Sequence, residues 1–322
     1  MESQHRVHVA VVDHTGRLVA RAGDPDFRTY LRSAAKPFQA LPLLEDGAAE
    51  RFGVSSKELA LACASHNSEP YQVDLVRAFL ERTGGYEADL ACGPHPPLSA
   101  TLAIPDQDGA PPREIPAAPR TPLASNCSGK HTAMLALARH HGWPVQGYHT
   151  APHPVQRRCK AVVARWAGCP PEAVAEGVDG CGVVSFALPV SAMAAAYARL
   201  AVSDQPAPRA IVRAMTEHPD LIAGQGRPCT ALLQAYRGRV LSKIGAEGVY
   251  GAALLHRGLG IGLKVEDGHN WAAVTALLRV LDQLDLDPSP VTTLPRFAAI
   301  PLRNTRGETV GELRAAGELT FV

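Results

Sequence analysis

The sequence has little of what marks nucleic-acid-binding and membrane-spanning proteins. Aromatic side chains make up only 5% of its 322 residues, which leaves few surfaces for stacking on bases. Its 32 basic and 31 acidic residues give a net charge of +1, whereas binding to nucleic-acid phosphates requires a large positive excess. No apolar run approaches the ~20 residues that a membrane-spanning helix needs. We therefore expect neither a nucleic-acid nor a membrane partner.

The composition is that of a compact protein from a reducing compartment. Hydrophobic residues make up 46% of the chain and charged residues 20%, enough apolar material to fill a core. The first residues, Met-Glu-Ser-Gln-His-Arg, contain no apolar segment of the kind found in secretory signals. The 7 cysteines are an odd number spread along the chain. We expect a cytoplasmic protein whose special cysteines serve metal binding or catalysis rather than disulfides.

Strand patterns lie near both ends of the chain, and helical patterns lie between them. Residues 5–22 alternate like a hairpin, and residues 240–266 resemble three strands joined by turns that contain glycine. Helical spacing dominates from about residue 33 to 235, with one helix expected at 70–82, and returns at 270–283. A terminal strand is expected near residues 310–313. The sequence predicts an α+β fold, in which one antiparallel sheet from both ends packs with a helical middle region, as a single domain over residues 1–322. The proline-rich residues 94–122 are expected to form an extended surface segment or a mobile flap.

The first chemical signal is Ser33-x-x-Lys36. At this spacing on a helix the two side chains share one face. A serine becomes nucleophilic when a base removes its proton, and a lysine can do so when burial or a neighbouring cation lowers its pKa. The spacing is common, however, and a solvated helix face explains it as well.

Two further fragments resemble parts of the penicillin-recognising serine enzymes. Ser65-x-Asn67 lies in a predicted loop, and Lys243-Ile244-Gly245 lies on a predicted strand, in the chain order of those enzymes. In such a site Ser65 would relay protons, and Lys243 would act on its hydroxyl electrostatically. The alternative is a loop asparagine with an edge-strand lysine that discourages aggregation.

A third signal combines two cysteines with basic residues. Cys127 and Lys130 share a face at a predicted helix start, and Cys181 lies in a turn flanked by glycines. Two thiolates, a nitrogen ligand and a water suit zinc, with His131 or a neutral Lys130 as the nitrogen donor. A buried structural pair explains the pattern as well, because neither cysteine belongs to a CxxC motif.

Five motifs follow one another along the chain: Ser-Ala-Ala-Lys-Pro (33–37), Ala-Ser-His-Asn (64–67), Asn-Cys-Ser-Gly-Lys-His (126–131), Asp-Gly-Cys-Gly (179–182) and Lys-Ile-Gly-Ala-Glu-Gly (243–248). Together they resemble the Rhizobium etli-type L-asparaginases, the inducible thermolabile class. That family is similar in structure to serine-dependent glutaminases and β-lactamases, so the resemblance implies a β-lactamase/glutaminase-like fold. It also implies hydrolysis of L-asparagine to L-aspartate and ammonia by a homodimer that binds zinc.

The resemblance also implies roles for individual residues. Two serine–lysine pairs would carry the catalysis, and a zinc ion with one water would lie beside them. Cys229 and His131 match positions near the family's pocket and receive no role. The expected catalytic pairs are Ser33 with Lys36 and Ser65 with Lys243, and the expected substrate-binding residues are Arg32 and Asn67. The expected zinc ligands are Cys127, Lys130 and Cys181, and Asp179 would orient these ligands without binding the metal itself.

A mechanism follows from these roles. Lys36 would deprotonate Ser33, which attacks the amide carbon, while Ser65 and Lys243 deliver a proton to the departing ammonia. The same chemistry allows Ser65 to be the nucleophile. Zinc is expected to position the substrate and not to be strictly required for the chemistry. Two other functions stay open: a glutaminase or penicillin-binding, β-lactamase-like serine hydrolase, and a metal-dependent amidohydrolase.

Overall fold

A computed structural model describes residues 1–94, 98 and 120–322, so most of the segment expected to be extended at 94–122 lies outside the described residues. Within those ranges the chain forms helices and three antiparallel sheets, which is the α+β class that the sequence predicts. The strands are β1 (Val7–Asp13), β2 (Leu18–Ala22), β3 (Arg28–Tyr30), β4 (Ala175–Val178), β5 (Val184–Pro189), β6 (Val240–Ile244), β7 (Val249–Leu254), β8 (Leu259–Val265), β9 (Ala299–Arg303), β10 (Thr309–Arg314) and β11 (Thr320–Phe321).

The largest sheet joins the two ends of the chain. It has six strands in the order β11-β2-β1-β8-β7-β6, and all neighbouring pairs are antiparallel. At its centre β1 pairs with β8, from Val7 opposite Val265 to Asp13 opposite Leu259. The strand patterns at 5–22 and 240–266 correctly predict five of its six strands, all except β11.

The two smaller sheets differ from the sequence-based expectation. A three-stranded sheet, in the order β3-β5-β4, lies partly within the stretch from about residue 33 to 235 that was expected to be helical. Strand β5 is a short apolar run, and such a run cannot be told from a buried helix by periodicity alone. The strand expected at 310–313 exists as β10, but it pairs with β9 rather than with the large sheet, which is extended by β11.

Helix boundaries follow capping and proline signals. The Ser55 hydroxyl accepts a hydrogen bond from the Glu58 backbone N–H, and the Glu58 carboxylate accepts one from the Ser55 N–H, which forms a capping box. Pro70, Pro154 and Pro206 each begin a helix, where the missing N–H costs nothing. The helices are α1 (Lys36–Gln39), α2 (Leu41–Glu45), α3 (Ala48–Arg51), α4 (Ser56–Ala62), α5 (Pro70–Arg82), α6 (Ser128–His141), α7 (Pro154–Ala167), α8 (Val190–Val202), α9 (Pro206–Glu217), α10 (Pro219–Ile222), α11 (Pro228–Ala235), α12 (Asn270–Gln283), α13 (Pro290–Thr293) and α14 (Pro295–Ala298).

Helices cover the large sheet and bury the strand that carries Lys243. The alanine-rich α8 packs on β1, β7 and β8, and α12 also packs against β7 and β8. Every residue of β6, β7 and β8 is buried, so both faces of this part of the sheet are covered. The Tyr197 hydroxyl on α8 donates a 2.8 Å hydrogen bond to the carbonyl oxygen of Ala34, which ties the sheet layer to the segment before α1. In the ranges described above, no helix is long and apolar enough to cross a membrane.

Candidate active site

Three segments that are far apart in sequence meet at one buried point. Lys36 begins α1, Ser65 lies in the loop after α4, and Lys243 lies on β6. The Nζ atoms of both lysines lie 2.9 Å from Oγ of Ser65. Both lysines are 0% exposed and Ser65 is 4% exposed. The three side chains form a continuous amine–hydroxyl–amine arrangement, which we call the Lys36–Ser65–Lys243 chain.

Ser33 lies outside this hydrogen-bonded chain. Residues 32–35 form a 3₁₀ turn before α1 instead of the start of one longer helix. The Lys36 amine donates to the Ser65 hydroxyl and to the carbonyl of Ala64, rather than to Ser33. The Ser33 side chain is half-buried, and its hydroxyl has no hydrogen-bond partner in the part of the chain that the structure describes. Of the two expected pairs, Ser65 with Lys243 is hydrogen-bonded and Ser33 with Lys36 is not.

Two glycines permit the close backbone approaches that bring these segments together. A Cβ on Gly129, in α6, would lie 2.3 Å from the carbonyl oxygen of Leu61, so only glycine allows α6 to pack this closely on α4. A Cβ on Gly245, just after β6, would lie 2.8 Å from the carbonyl oxygen of Leu31. A side chain at either position would force apart the elements that position the Lys36–Ser65–Lys243 chain.

The surroundings of Lys243 favour its neutral form. Burial lowers the pKa of Lys243 to about 7. The nearby Cys229 opposes this shift, whereas the charges of Lys36 and Arg227 add to it. An amine with such a pKa is present in both protonation states near neutral pH. This is the property that a general base for a serine hydroxyl needs.

A second cluster contains the three residues expected to bind zinc. The Lys130 amine donates to Sγ of Cys181 at 3.2 Å, and the Cys127 thiol donates to Oδ1 of Asn126 at 3.2 Å. The neighbouring Cys127 lowers the pKa of Cys181 to about 5 against the effect of burial, and Lys130 adds to this shift. Cys181, together with burial, raises the pKa of Cys127 to about 12. At neutral pH the cluster therefore contains one thiolate and one thiol.

The charge of Lys130 is held by its neighbours. Burial disfavours the charged amine, but Cys181, Cys127 and Asp179 raise the pKa of Lys130 well above its ordinary value. Burial also opposes the carboxylate of Asp179, yet Lys130 and then Arg32 hold the pKa of Asp179 below its usual value. The cluster is thus a set of mutually stabilised opposite charges.

Arg32 connects this cluster to the segment that carries Ser33. Its Nε donates to Oδ1 of Asp179 at 2.7 Å, and the same oxygen accepts a 2.8 Å hydrogen bond from the Gly180 N–H. The φ angle of Arg32 is 49°, a left-handed conformation that residues other than glycine rarely adopt. Strain of this kind concentrates at functional sites because the surrounding structure must hold it in place.

The donor atoms of the cysteine cluster fit a zinc ion in their chemistry. Zinc prefers four ligands drawn from thiolates, nitrogens and water, and the cluster offers two sulfurs and one nitrogen. Cys181 is already a thiolate, whereas Cys127 and Lys130 would each release a proton on binding. Across residues 1–94, 98 and 120–322, no three side chains drawn from histidine, cysteine, aspartate and glutamate form a metal-binding group. Lys130 would therefore be an essential ligand here.

Asn67 is buried, and its amide is used by the protein. Its Oδ1 accepts a 2.8 Å hydrogen bond from Arg227, and its Nδ2 donates to Oε1 of Glu69 at 3.0 Å and to the Gln225 carbonyl at 3.2 Å. Direct contact between Asn67 and a substrate would require this network to open. The sequence analysis misses Arg227, because an arginine before a helix-starting proline carries no chemical signal.

His131 and Cys229 are both fully buried near the two clusters. Nδ1 of His131 lies 2.6 Å from the Tyr148 hydroxyl, and burial lowers the pKa of His131 to about 3. The Cys229 sulfur accepts a 3.2 Å hydrogen bond from the Ile244 N–H and lies 3.3 Å from the Tyr250 hydroxyl. Cys229 therefore holds the backbone beside Lys243.

Comparison with protein families identifies the chain's relatives. Residues 1–315 match the family model described as L-asparaginase II. The chain belongs to the L-asparaginase II family. This confirms the family that the five motifs indicate, and the family's description is that of an amidohydrolase. All residues of the Lys36–Ser65–Lys243 chain and of the cysteine cluster lie within the matched residues 1–315.

The chain is also similar, at low sequence identity, to solved structures. The crystal structure of Mglu in its native form has a TM-score of 0.49 and 17% identity, and the match covers 87% of this chain and 65% of Mglu, under two thirds of its length. A putative β-lactamase from Bacteroides dorei DSM 17855 has a TM-score of 0.41 and 12% identity, with 80% and 84% of the two chains covered. A search of curated proteins gave no match. The assignment to the L-asparaginase II family depends on the family match.

Proposed function

We propose that this protein hydrolyses the side-chain amide of L-asparagine to L-aspartate and ammonia. The observation that carries the proposal is the Lys36–Ser65–Lys243 chain, in which one hydroxyl oxygen lies 2.9 Å from two buried amines. Two ammonium groups this close would repel each other, so the arrangement favours a state in which one amine is neutral. A neutral amine beside serine hydroxyls is what serine-based amide hydrolysis requires.

We assign the nucleophile to Ser33 and proton transfer to Ser65. The Ser33 hydroxyl is half-buried and has no partner within the described residues, so it is free to approach a substrate. Ser65 is almost fully buried and is held between two amines, which suits a hydroxyl that passes protons between them. These positions support the division of roles implied by the resemblance to the Rhizobium etli-type enzymes.

Acylation would begin when Lys36 passes a proton through the Ser65 hydroxyl to neutral Lys243 and takes the Ser33 proton, as Oγ of Ser33 attacks the amide carbon of asparagine. Backbone N–H groups at the start of the helical segment would stabilise the oxyanion, an effect typically of about 3–4 kcal/mol per donor. As the C–N bond breaks, the amide nitrogen takes a proton from the Lys36–Ser65–Lys243 chain and leaves as ammonia. Water then attacks the β-aspartyl ester and gives its proton to the same chain, and Ser33 recovers a proton as aspartate leaves.

Recognition of a free amino acid requires groups that bind its charged ends. Arg32 offers a guanidinium to the substrate carboxylate, and Asp179 fixes the orientation of that guanidinium. A zinc ion held by Cys127, Lys130 and Cys181 would supply a further positive charge for orienting the substrate's polar groups. The Asn67 amide is already hydrogen-bonded to Arg227 and Glu69. This network supports a role for Asn67 in holding the Ser65 loop rather than in contacting the substrate.

Ammonia release from L-asparagine and L-glutamine tests this proposal. The proteins to compare are wild type, Ser33→Ala, Ser65→Ala and Cys127→Ala, with bound zinc quantified in each and nitrocefin hydrolysis measured in parallel. We expect turnover of asparagine and a loss of at least about 10³-fold in both serine variants. Turnover of nitrocefin or of glutamine alone would contradict the proposed substrate. Activity that survives Ser33→Ala but not chelation would instead identify a metal-dependent amidohydrolase.

Two properties of the whole protein remain predictions. The resemblance implies a homodimer, and the cysteine content favours a cytoplasmic location. Light scattering across a range of protein concentrations tests the first, and fractionation of cells that express the full-length natural protein tests the second.

A further inference from the structure

Arg227, which no step above uses, is an unusual buried cation. It is 1% exposed and lies at the residue before α11. Its Nη1 donates to the neutral amide of Asn67 at 2.8 Å, and its Nε has no hydrogen-bond partner in the described part of the chain. Burying a guanidinium costs several kcal/mol unless good partners offset it. Its position therefore indicates a purpose other than stability.

Asn67 connects Arg227 to the loop that carries Ser65. The Asn67 Nδ2 donates to Oε1 of Glu69 at 3.0 Å, and the same oxygen accepts a 2.9 Å hydrogen bond from the Gln225 N–H. The Asn67 amide thus bridges a cation and an anion, and its orientation is fixed because arginine only donates and a carboxylate only accepts. Ser65 lies two residues before Asn67. This network therefore helps to set where the Ser65 hydroxyl lies between its two amines.

Arg227 also acts through its charge. A guanidinium stays protonated throughout the range in which proteins are folded, whereas the amines of the Lys36–Ser65–Lys243 chain can lose a proton. After burial, the charge of Arg227 is among the causes that lower the pKa of Lys243, and it also lowers the pKa of His66 on the Ser65 loop. The other titratable groups coupled electrostatically to Lys243 are Lys36, Cys63, Cys127 and Cys229.

We propose that Arg227 is a positioning residue of the asparagine-hydrolysing site, which holds the Ser65 loop through its hydrogen bond to Asn67. Its charge adds to the effect of burial in favouring the neutral form of Lys243. The inference rests on the proposed function, because it concerns the same proton-transfer chain. Arg227 would be a component of the site that belongs neither to the serine–lysine pairs nor to the cysteine cluster.

Lysine NMR tests the charge effect without any need for activity. The chain has only six lysines, so protein labelled with ¹³C and ¹⁵N in lysine gives few side-chain signals, and Lys243→Arg assigns the signal of interest. The Lys243 signal is titrated from about pH 5 to 10 in wild type, Arg227→Gln and Arg227→Lys. The matched control is Arg158→Gln, which removes a half-buried guanidinium paired with Glu45 and Asp46.

Loss of the Arg227 charge is expected to raise the midpoint of Lys243 by about one pH unit. Arg227→Lys keeps a cation and should leave the midpoint within a few tenths of a unit. Arg158→Gln lowers the melting temperature without moving the midpoint. An unchanged midpoint in Arg227→Gln, or an equal shift in all three variants, would overturn the proposal.

Kinetics test the positioning role. For Arg227→Lys, which replaces the planar guanidinium whose Nη1 donates to Asn67, we expect kcat to fall about tenfold while KM changes less than twofold. If Arg227→Gln does not fold, Arg227→Lys decides: an unchanged kcat overturns the proposal, and a lower kcat with an unchanged Lys243 midpoint supports it. If the wild type releases no ammonia from asparagine, the proposed function fails, while the NMR titration still decides the role of Arg227.

Discussion

Lys243 and Lys130 are almost equally buried, yet their surroundings drive their charges in opposite directions. Their exposed fractions are 0% and 2%. Burial disfavours the charged amine in both, but Lys243 lies beside a hydroxyl and other cations, whereas Lys130 lies beside a thiolate and a carboxylate. The pKa of Lys243 is lowered to about 7, and that of Lys130 is raised. The neighbours, rather than the depth of burial, separate a centre suited to moving protons from one suited to holding charge.

Replacing each lysine by methionine tests the comparison most strongly. Lys243→Met removes one of the two amines on Ser65, and kcat for ammonia release should fall by about 10²- to 10⁴-fold, the usual range for a lost acid–base group. Lys130→Met leaves the Lys36–Ser65–Lys243 chain intact, so we expect a much smaller loss in kcat and a main effect on KM. Steady-state kinetics measure both. Equal losses in kcat would remove the distinction between the two centres.

The pH dependence of activity provides the next test. Lys243 must be neutral to accept a proton, and its pKa is about 7, so kcat/KM should rise with pH through a midpoint near 7. A profile from pH 5 to 9 measures this midpoint. A flat profile across that range would contradict the assignment of Lys243 to proton transfer.

The same pKa predicts how stability changes with pH. In the unfolded chain Lys243 keeps its proton up to its ordinary pKa of 10.5, whereas in the folded protein it loses the proton near 7. The unfolded state therefore binds more protons between these values, and this group makes the folded state more stable as pH rises from 7 to 10.5. The free energy of unfolding, measured with urea at pH 7 and 9, should gain less between these pH values for Lys243→Met than for wild type. An identical gain in both proteins would contradict the lowered pKa.

Cys181 provides a test of the charge-holding centre. Its pKa of about 5 makes it a thiolate at neutral pH, whereas burial raises the pKa of Cys63 and Cys159 to about 12. Iodoacetamide should therefore alkylate Cys181 at a nearly constant rate from pH 6 to 8 and spare the other two. Peptide mass spectrometry measures each site, with Cys181→Ser as the control. A rate that rises about tenfold per pH unit, as for an ordinary thiol, would contradict this account.

Asp179→Asn should have the smallest effect of these changes. The substitution weakens the hold on Arg32 but leaves the Lys36–Ser65–Lys243 chain in place, so we expect KM for asparagine to rise a few-fold with little change in kcat. Arg213→Gln breaks only an exposed pair with Glu217 and should change neither constant. If kcat falls by a larger factor than KM rises, Asp179 takes part in the chemistry itself.

The sequence predicts the fold best where local signals agree. The residues that begin and end α5 and α12 are predicted correctly, because Pro70 starts one helix and Gln283 ends the apolar spacing of the other. Strands β4 and β5 are missed, since one carries no alternation and the other is a short apolar run. The partner of β10 is missed as well, because strand pairing depends on tertiary packing that no local pattern encodes.

For the site, the sequence places the right chemistry in order but not its geometry. Spacing alone suggests that Lys36 serves Ser33, whereas in the structure the Lys36 amine is hydrogen-bonded to Ser65. The 3₁₀ turn at residues 32–35 and the approach of the Ser65 loop redirect that amine, and neither is visible in a motif. Arg227 escapes sequence reasoning because its importance comes from burial beside Asn67.

Trapping the covalent intermediate tests the central claim most directly. Wild-type protein is mixed with L-asparagine, quenched in acid within milliseconds and digested for mass spectrometry. The account predicts a β-aspartyl ester on the peptide that contains Ser33, and no ester in Ser33→Ala. An ester on Ser65, or ammonia release with no ester on either serine, would contradict it.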